Sequence, residues 1–204
     1  MTEKQLLEHE LDGNPFALFQ RWFDDARKAV PDRPEASTLA TADAEGVVSA
    51  RVVLLKSFDG RGFVFFTNYH SRKGTQLREN PRASLCFFWP PLDRQVRIEG
   101  AVVRTTEEES DAYWAMRPRG SQVGAWASDQ SRVISGRGDL DERFRQMEAT
   151  YLGQPIPRPP HWGGVRLIPI LFEFWQGRED RLHDRFTYRL RADAKDWVIE
   201  RLAP

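Results

Sequence analysis

The chain has one cysteine, Cys86, which excludes an intrachain disulfide framework and a cysteine-based zinc site. It sits in the apolar run Ser84–Phe88, where a thiol serves as a small hydrophobe. Lysine is almost missing too. It occurs only at 4, 28, 56, 73 and 195, so arginine supplies the rest of the 30 basic residues. Arginine brings a planar, permanently charged fork that suits carboxylate and phosphate. Thirty acidic residues cancel those charges, leaving no global field to attract nucleic acid. No apolar run is long enough for a membrane span: the longest, Leu167 to Trp175, contains Pro169 and Glu173. The N-terminus MTEKQLLEHELDGN is acidic and lacks the apolar core of a signal peptide. GxGxxG, P-loop and internal repeats are absent, which argues against a dinucleotide fold and a solenoid. The four histidines show no metal spacing, and neither a Ser-His-Asp order nor a pair of catalytic carboxylates stands out. These absences describe a soluble, cytoplasmic protein with no metal, no membrane and no nucleic acid among its expected partners.

What is present is a core. Hydrophobic residues make up 40% of 204 positions, with thirteen Phe and seven Trp, enough for one folded domain. Residues 1–13 read as a flexible polar arm, and 14–204 as a single domain. Asn14 and Pro15 start a helix whose apolar residues (Phe16, Phe19, Trp22, Phe23, Ala26, Val30) recur at helical spacing through Asp32. From Ser37 the period becomes two. Strands are expected at Ser37–Ala42, Val47–Phe58 and Gly62–Asn68, separated by Gly-containing turns. A helix from Ser71 to Asn80 precedes strands at Ala83–Trp89 and Arg94–Thr105. Helices are expected at Glu107–Met116, Arg119–Ala127 and Leu140–Tyr151, and strands at Val165–Gln176, Arg181–Arg191 and Trp197–Leu202. Strands joined by short turns, with helices set apart rather than alternating, indicate an α+β fold. It is β-dominant, an antiparallel sheet or barrel with peripheral helices.

Four segments concentrate polar chemistry. Ser71-Arg72-Lys73 opens a helix, where orphan N–H groups and two cations favour an anion, although a solvated pair of surface cations has the same sequence. Arg51 and Lys56 bound an apolar strand, and strict alternation points them to opposite faces unless a bulge intervenes. Tyr113 and Arg117 are four apart and Ser121 lies a turn further on. A phenol, a guanidinium and a hydroxyl facing one space fit a small phosphate monoester, with helix capping and packing as the plain alternative. Trp175-Gln-Gly and Arg181-Leu-His-Asp-Arg185 form the densest cluster. On a strand, Arg181, His183 and Arg185 would share a face, and the mutually repelling cations favour a bound anion there.

Taken in order, RVVLLK (51–56), FFTN (65–68), SRK (71–73), RQV (94–96), RPRGSQVGAW (117–126), SDQS (128–131), HWGGVRL (161–167), EFWQG (173–177), RLHDRFTY (181–188) and RLAP (201–204) resemble the pyridoxamine (pyridoxine) 5′-phosphate oxidase family. The resemblance runs from about residue 14 to the C-terminus. It implies a homodimeric split β-barrel that binds FMN non-covalently at the subunit interface. In that family's pattern FMN is held by Arg51, Val52, Val53, Leu54, Lys56, Phe66, Thr67, Arg72 and Lys73, with Gln95, Gln130, Ser131, Trp175 and Arg185 completing the pocket. Lys56, Tyr113, Arg117 and Ser121 grip the substrate phosphate, while Arg181 and His183 face the pyridine ring as the catalytic pair. The implied reaction oxidises pyridoxamine or pyridoxine 5′-phosphate to pyridoxal 5′-phosphate. A hydride passes from C4′ to flavin N5, and O2 reoxidises the flavin to give H2O2.

Two departures stand out. The arm Thr2–Gly13 has neither the Arg nor the Tyr of the family segment that closes over substrate, and Phe66 stands where a tyrosine is common. A related oxidase group of phenazine biosynthesis shares the fold but takes tricyclic substrates without a phosphate, so the RPRGS string favours the vitamin B6 reading. A non-catalytic flavin or B6-phosphate carrier would not need Arg181 and His183.

Overall fold

The structure, a computed structural model, describes residues 5–192 and 196–204. Five helices appear among them: α1 (Pro15–Ala29), α2 (Arg72–Glu79), α3 (Glu107–Ala115), α4 (Arg119–Ala127) and α5 (Arg137–Thr150). The strands are β1 (Ala36–Ala42), β2 (Val48–Leu54), β3 (Ser57–Asp59), β4 (Gly62–Asn68), β5 (Arg82–Trp89), β6 (Arg94–Arg104), β7 (Trp162–Gln176), β8 (Asp184–Leu190) and β9 (Trp197–Leu202). No helix among the described residues is long and apolar enough to cross a membrane.

The Asn14 side chain caps α1 by accepting the Phe16 N–H at 3.0 Å, with Pro15 in the first turn. The helix ends at Ala29 rather than Asp32, because Pro31 disfavours helical geometry at Val30. Its apolar stripe buries Leu18, Phe19, Trp22, Phe23 and Ala26. Phe19 is fully buried at the hub, edge-on to Phe58, Phe63 and Phe87 at 4.9–5.3 Å. Such edge-to-face contacts add about 0.5–1.5 kcal/mol per pair beyond burial.

The sheet is antiparallel throughout and runs β2-β1-β5-β6-β7-β4-β3, with β8 and β9 joined to β7. The fork lies on β7. Its first half pairs with β4 (Trp162 to Leu167), its second half pairs with β8 (Leu171 to Gln176), and β6 lies along both. Pro169 removes a donor at the junction, and the β6–β7 register shifts between Glu99 and Gly100. A side chain at Gly100 would collide with the Ile168 carbonyl, so a bare backbone is required at the bend. The single strand expected over 47–58 is two strands. Leu55 and Lys56 leave the ladder between them, with Leu55 N–H bonded to the Glu35 carbonyl and Lys56 N–H to the Val64 carbonyl.

Residues 1–4 of the expected arm lie outside the described residues. From Gln5 onward the arm is docked. Leu6 is buried, its N–H donates to Asp184 Oδ2 at 3.1 Å, and Tyr188 Oη donates to the Asp12 carbonyl at 2.8 Å. Arg201 pairs with Glu8 at 2.7 Å. A segment that reads as polar is thus tied down by one apolar side chain and an arginine from the C-terminal strand.

Candidate functional site

A cavity of about 720 Å³ opens between β2, β4 and the α3–α4 corner. From β2 and its exit come Val52, Val53, Leu54 and Lys56; from β4 come Phe66 and Thr67. Strict alternation points Arg51 and Lys56 to opposite faces. The break after Leu54 removes Lys56 from the strand and lets it line the cavity, whereas Arg51 turns toward the β1 side.

The basic end is built on the start of α2. Ser71 Oγ caps the helix by accepting the Gly74 N–H, leaving other first-turn N–H groups free to meet an anion. Lys73 Nζ reaches Gln130 Oε1 at 2.9 Å, and both residues line the cavity. Arg51 donates to Thr41 Oγ1 at 2.6 Å and to the Leu39 carbonyl, and it also bonds Ser49 Oγ. These partners of Arg51 and Lys73 are all neutral oxygens. Burial, and secondarily the neighbouring Arg51, push the Lys73 ammonium down to about 8. Burial and then Arg72 lower Arg51 as well. Lys73 lowered beside Arg51, and Arg51 beside Arg72, have the electrostatics of an anion site. Arg72 and Ser131 lie beside this end, on an adjoining depression that also includes His70 and Arg132.

The aromatic wall belongs to the α3–α4 corner. Phe66 stacks on Tyr113 with ring centres 3.9 Å apart, and Trp162 lies nearly parallel to Phe66 at 5.3 Å. Arg117 lies over Trp162 at 4.5 Å and donates from Nη2 to the Ser121 carbonyl at 2.9 Å. Its Nε is buried without a hydrogen-bond partner, and burial lowers the guanidinium below its ordinary range. A buried charged donor left unpaired is costly. An anion among Tyr113, Arg117 and Ser121, all of which line the cavity, would relieve that cost. Glycine keeps the wall thin, since a side chain at Gly164 would strike Thr105 and crowd Phe66.

Gln95, Trp175, Arg181, His183 and Arg185 do not line this cavity. The strand expected over 181–191 begins only at Asp184; Arg181 ends a short 3-10 turn with φ of 61°. Arg181, His183 and Arg185 therefore do not share a strand face. Asp180, also at positive φ, folds this tight turn, which leaves Arg181 exposed. His183 Nδ1 accepts the Arg178 N–H at 3.1 Å, and its ring lies 4.6 Å from Trp175. Gln95, Trp175 and Arg185 are register partners across β6, β7 and β8. They form a row on the sheet face opposite the core residues Val96, Phe174 and Phe186. Phe88, 54% exposed, extends that row onto β5.

Trp162, Asn68 and Ser128 also line the cavity and were not singled out from the sequence as site residues. Trp162 and Ser128 fall inside the HWGGVRL and SDQS strings, so the signal was present, but an indole beside two glycines reads first as core.

Residues 23–151 match the family model described as pyridoxamine 5′-phosphate oxidase. Residues 162–204 match the pyridoxine 5′-phosphate oxidase C-terminal dimerisation region. A pyridoxine/pyridoxamine 5′-phosphate oxidase of Paraburkholderia phymatum is 59% identical over 195 residues, covering 96% of this chain and 91% of that protein. One from Acaryochloris marina is 55% identical over 202 residues, covering 99% and 91%. Among solved structures, PhzG from Burkholderia lata 383, in complex with tetrahydrophenazine-1-carboxylic acid, superposes with a TM-score of 0.92 at 34% identity over all of both chains. A pyridoxamine 5′-phosphate oxidase-related, FMN-binding protein of Nostoc punctiforme has a TM-score of 0.72 at 18% identity, covering 92% of this chain and 96% of that one. The latter bears on the fold, the FMN-binding split barrel.

Proposed function

The chain belongs to the pyridoxamine 5′-phosphate oxidase family, and we propose that it oxidises pyridoxamine and pyridoxine 5′-phosphates to pyridoxal 5′-phosphate with FMN as cofactor. The observation that carries this reading is one aromatic-walled cavity served by two separate sets of anion donors: Lys73 with Gln130, and Arg117 with Ser121. A flavin phosphate and a substrate phosphate require two such sets.

The donor chemistry fits FMN. Arg51, Arg72 and Lys73, with Gln130 and Ser131, meet the phosphate, and Val52, Val53, Leu54, Lys56, Phe66 and Thr67 flank the rest of the cofactor. Bound FMN supplies a two-electron acceptor for the hydride leaving C4′, and O2 takes the electrons to give H2O2. Lys56, Tyr113, Arg117 and Ser121 hold the substrate phosphate, a grip common to ground and transition states that sets KM. Phe66 and Trp162 exclude water from one side of the cavity.

The remaining residues come from a second copy. The matched dimerisation region contains Trp175, Arg181, His183 and Arg185, and Gln95, Trp175 and Arg185 share one sheet face. On β2, Val52 is 66% exposed and already lines the cavity from the chain's own side. A two-fold dimer brings each copy's Gln95, Trp175 and Arg185 to the other's cavity, completing the FMN pocket at the interface. Arg181 and His183 then face the pyridine ring, orienting C4′ and stabilising negative charge as it develops.

The PhzG likeness raises a phenazine-type substrate as a second reading. Arg117, with its unpartnered Nε, favours a phosphate-bearing substrate instead. Anaerobic addition of pyridoxamine 5′-phosphate to the yellow holoprotein should bleach the flavin band and form pyridoxal phosphate, with colour returning in air. A yellow protein that fails to bleach moves the function to another substrate or to a carrier.

A further inference from the structure

Glu173, on β7, is a buried ionisable group that the proposed reaction leaves unused. It is 4% exposed and lies on the same sheet face as Trp175. Its carboxylate is shared by two arginines. Arg97, its register partner on β6, binds Oε2. Arg185 brings Nε and Nη2 to Oε1 at 2.9 and 2.7 Å. Burial alone would raise the Glu173 carboxyl, but hydrogen bonds from Arg97 and Arg185 outweigh it and hold the group below its ordinary value. The carboxylate therefore stays charged. Arg185 also donates from Nη1 to the Ala203 carbonyl at 2.9 Å.

A guanidinium has five N–H groups in a fixed plane. Glu173 and Ala203 take three of them, which fixes the plane and leaves one N–H on each terminal nitrogen. We propose that Glu173 is a positioning residue for FMN binding, clamping the Arg185 fork so that its two remaining N–H groups are presented to the cofactor. The inference rests on the assignment of Arg185 to the FMN pocket. Glu173 also offsets one of two like charges on that face, and Arg97 is further neutralised by Glu99. The Arg185 side chain, long and flexible by itself, thereby enters the complex already ordered.

The test is a double-mutant cycle read as FMN affinity of the apoprotein, measured by quenching of flavin fluorescence, with apoprotein melting and sedimentation recorded for each variant. Arg185→Ala should weaken FMN binding by about 10-fold or more. Glu173→Gln should cost about 10-fold, and the double variant should bind no more weakly than Arg185→Ala alone. Where Glu173→Gln fails to fold, Glu173→Asp enters the same cycle, keeping the charge but shortening its reach. Losses that multiply in the double variant would show that Glu173 does not act through Arg185, and would overturn the proposal. An Arg185→Ala protein with unchanged FMN affinity would overturn the pocket assignment itself, and the Glu173 role with it.

Discussion

Arg117 lies face-on to Trp162, its guanidinium carbon 4.5 Å from the ring centre, with a buried Nε that no protein group satisfies. The indole holds the cation in place and screens it from water, so the guanidinium is oriented before substrate arrives. Charge-assisted hydrogen bonds contribute about 1.5–3 kcal/mol each. Arg117→Ala should therefore raise KM for pyridoxamine 5′-phosphate by about 10- to 100-fold and leave kcat nearly unchanged. Trp162→Leu should raise KM by a smaller factor, since it removes only the cation–π support of a half-buried Arg117, worth about 0.5–2 kcal/mol, and no contact to the phosphate. Steady-state kinetics with phosphorylated and dephosphorylated substrate check both. An equal loss for the two substrates would disconnect Arg117 from the phosphate.

Lys73 gives a pH prediction with two opposite signs. With its ammonium near pH 8 in the folded apoprotein against an ordinary 10.5, it holds fewer protons folded than unfolded between those values. Its contribution to apoprotein stability therefore rises with pH across that window. Anion binding needs the protonated form, so affinity for FMN should fall above pH 8, by up to about tenfold per pH unit. Fluorescence titrations from pH 7 to 10 measure this slope, and Lys73→Ala should flatten it.

Arg181 lies on the exposed turn before β8, away from the chain's own cavity. Arg181→Ala should lower turnover per bound flavin while FMN content stays near wild type. Flavin absorbance of the purified variant, set against its kcat, separates the two. A variant that loses FMN but turns over normally per bound flavin would place Arg181 on the cofactor instead.

The N-terminal segment is anchored by Leu6, which is 4% exposed and donates its N–H to Asp184, the neighbour of His183. Leu6→Ala should destabilise the fold by about 2–4 kcal/mol, as other large-to-small core changes do. Thermal melting of the variant measures it. An unchanged melting temperature would show that the segment is not part of the folded core.

Local chemistry made much of the fold readable from sequence. Asn14-Pro15 starts α1 where capping rules put it, and β4, β5 and β6 follow their alternating or apolar runs within a residue or so. Departures arise where tertiary contacts or unusual backbone decide. The ladder breaks at Leu55–Lys56 because Leu55 N–H still bonds the Glu35 carbonyl, next to the Ala36–Leu54 rung, while Lys56 N–H turns away to the Val64 carbonyl on β4. Arg181 leaves the strand because Asp180 and Arg181 adopt positive φ without a glycine to announce it. In the site, Tyr113, Arg117 and Ser121 converge on the cavity as their spacing suggests. Trp162 and Glu173 lie inside the HWGGVRL and EFWQG strings, but their roles do not show there, because their importance comes from what they hold, Arg117 in one case and Arg185 in the other.

The most direct test of a site shared between two copies is complementation in mixed dimers. Lys73→Ala and Arg185→Ala proteins are unfolded together at equal concentrations, refolded, and assayed for pyridoxamine 5′-phosphate oxidation at an FMN concentration that fills an intact site but not the weakened site of either variant alone. Random pairing gives half heterodimers, each with one intact site when the two residues come from different copies, so about a quarter of wild-type activity should return. No recovery, with heterodimers present, would mean that both residues serve the same copy's cavity, and would contradict the shared site.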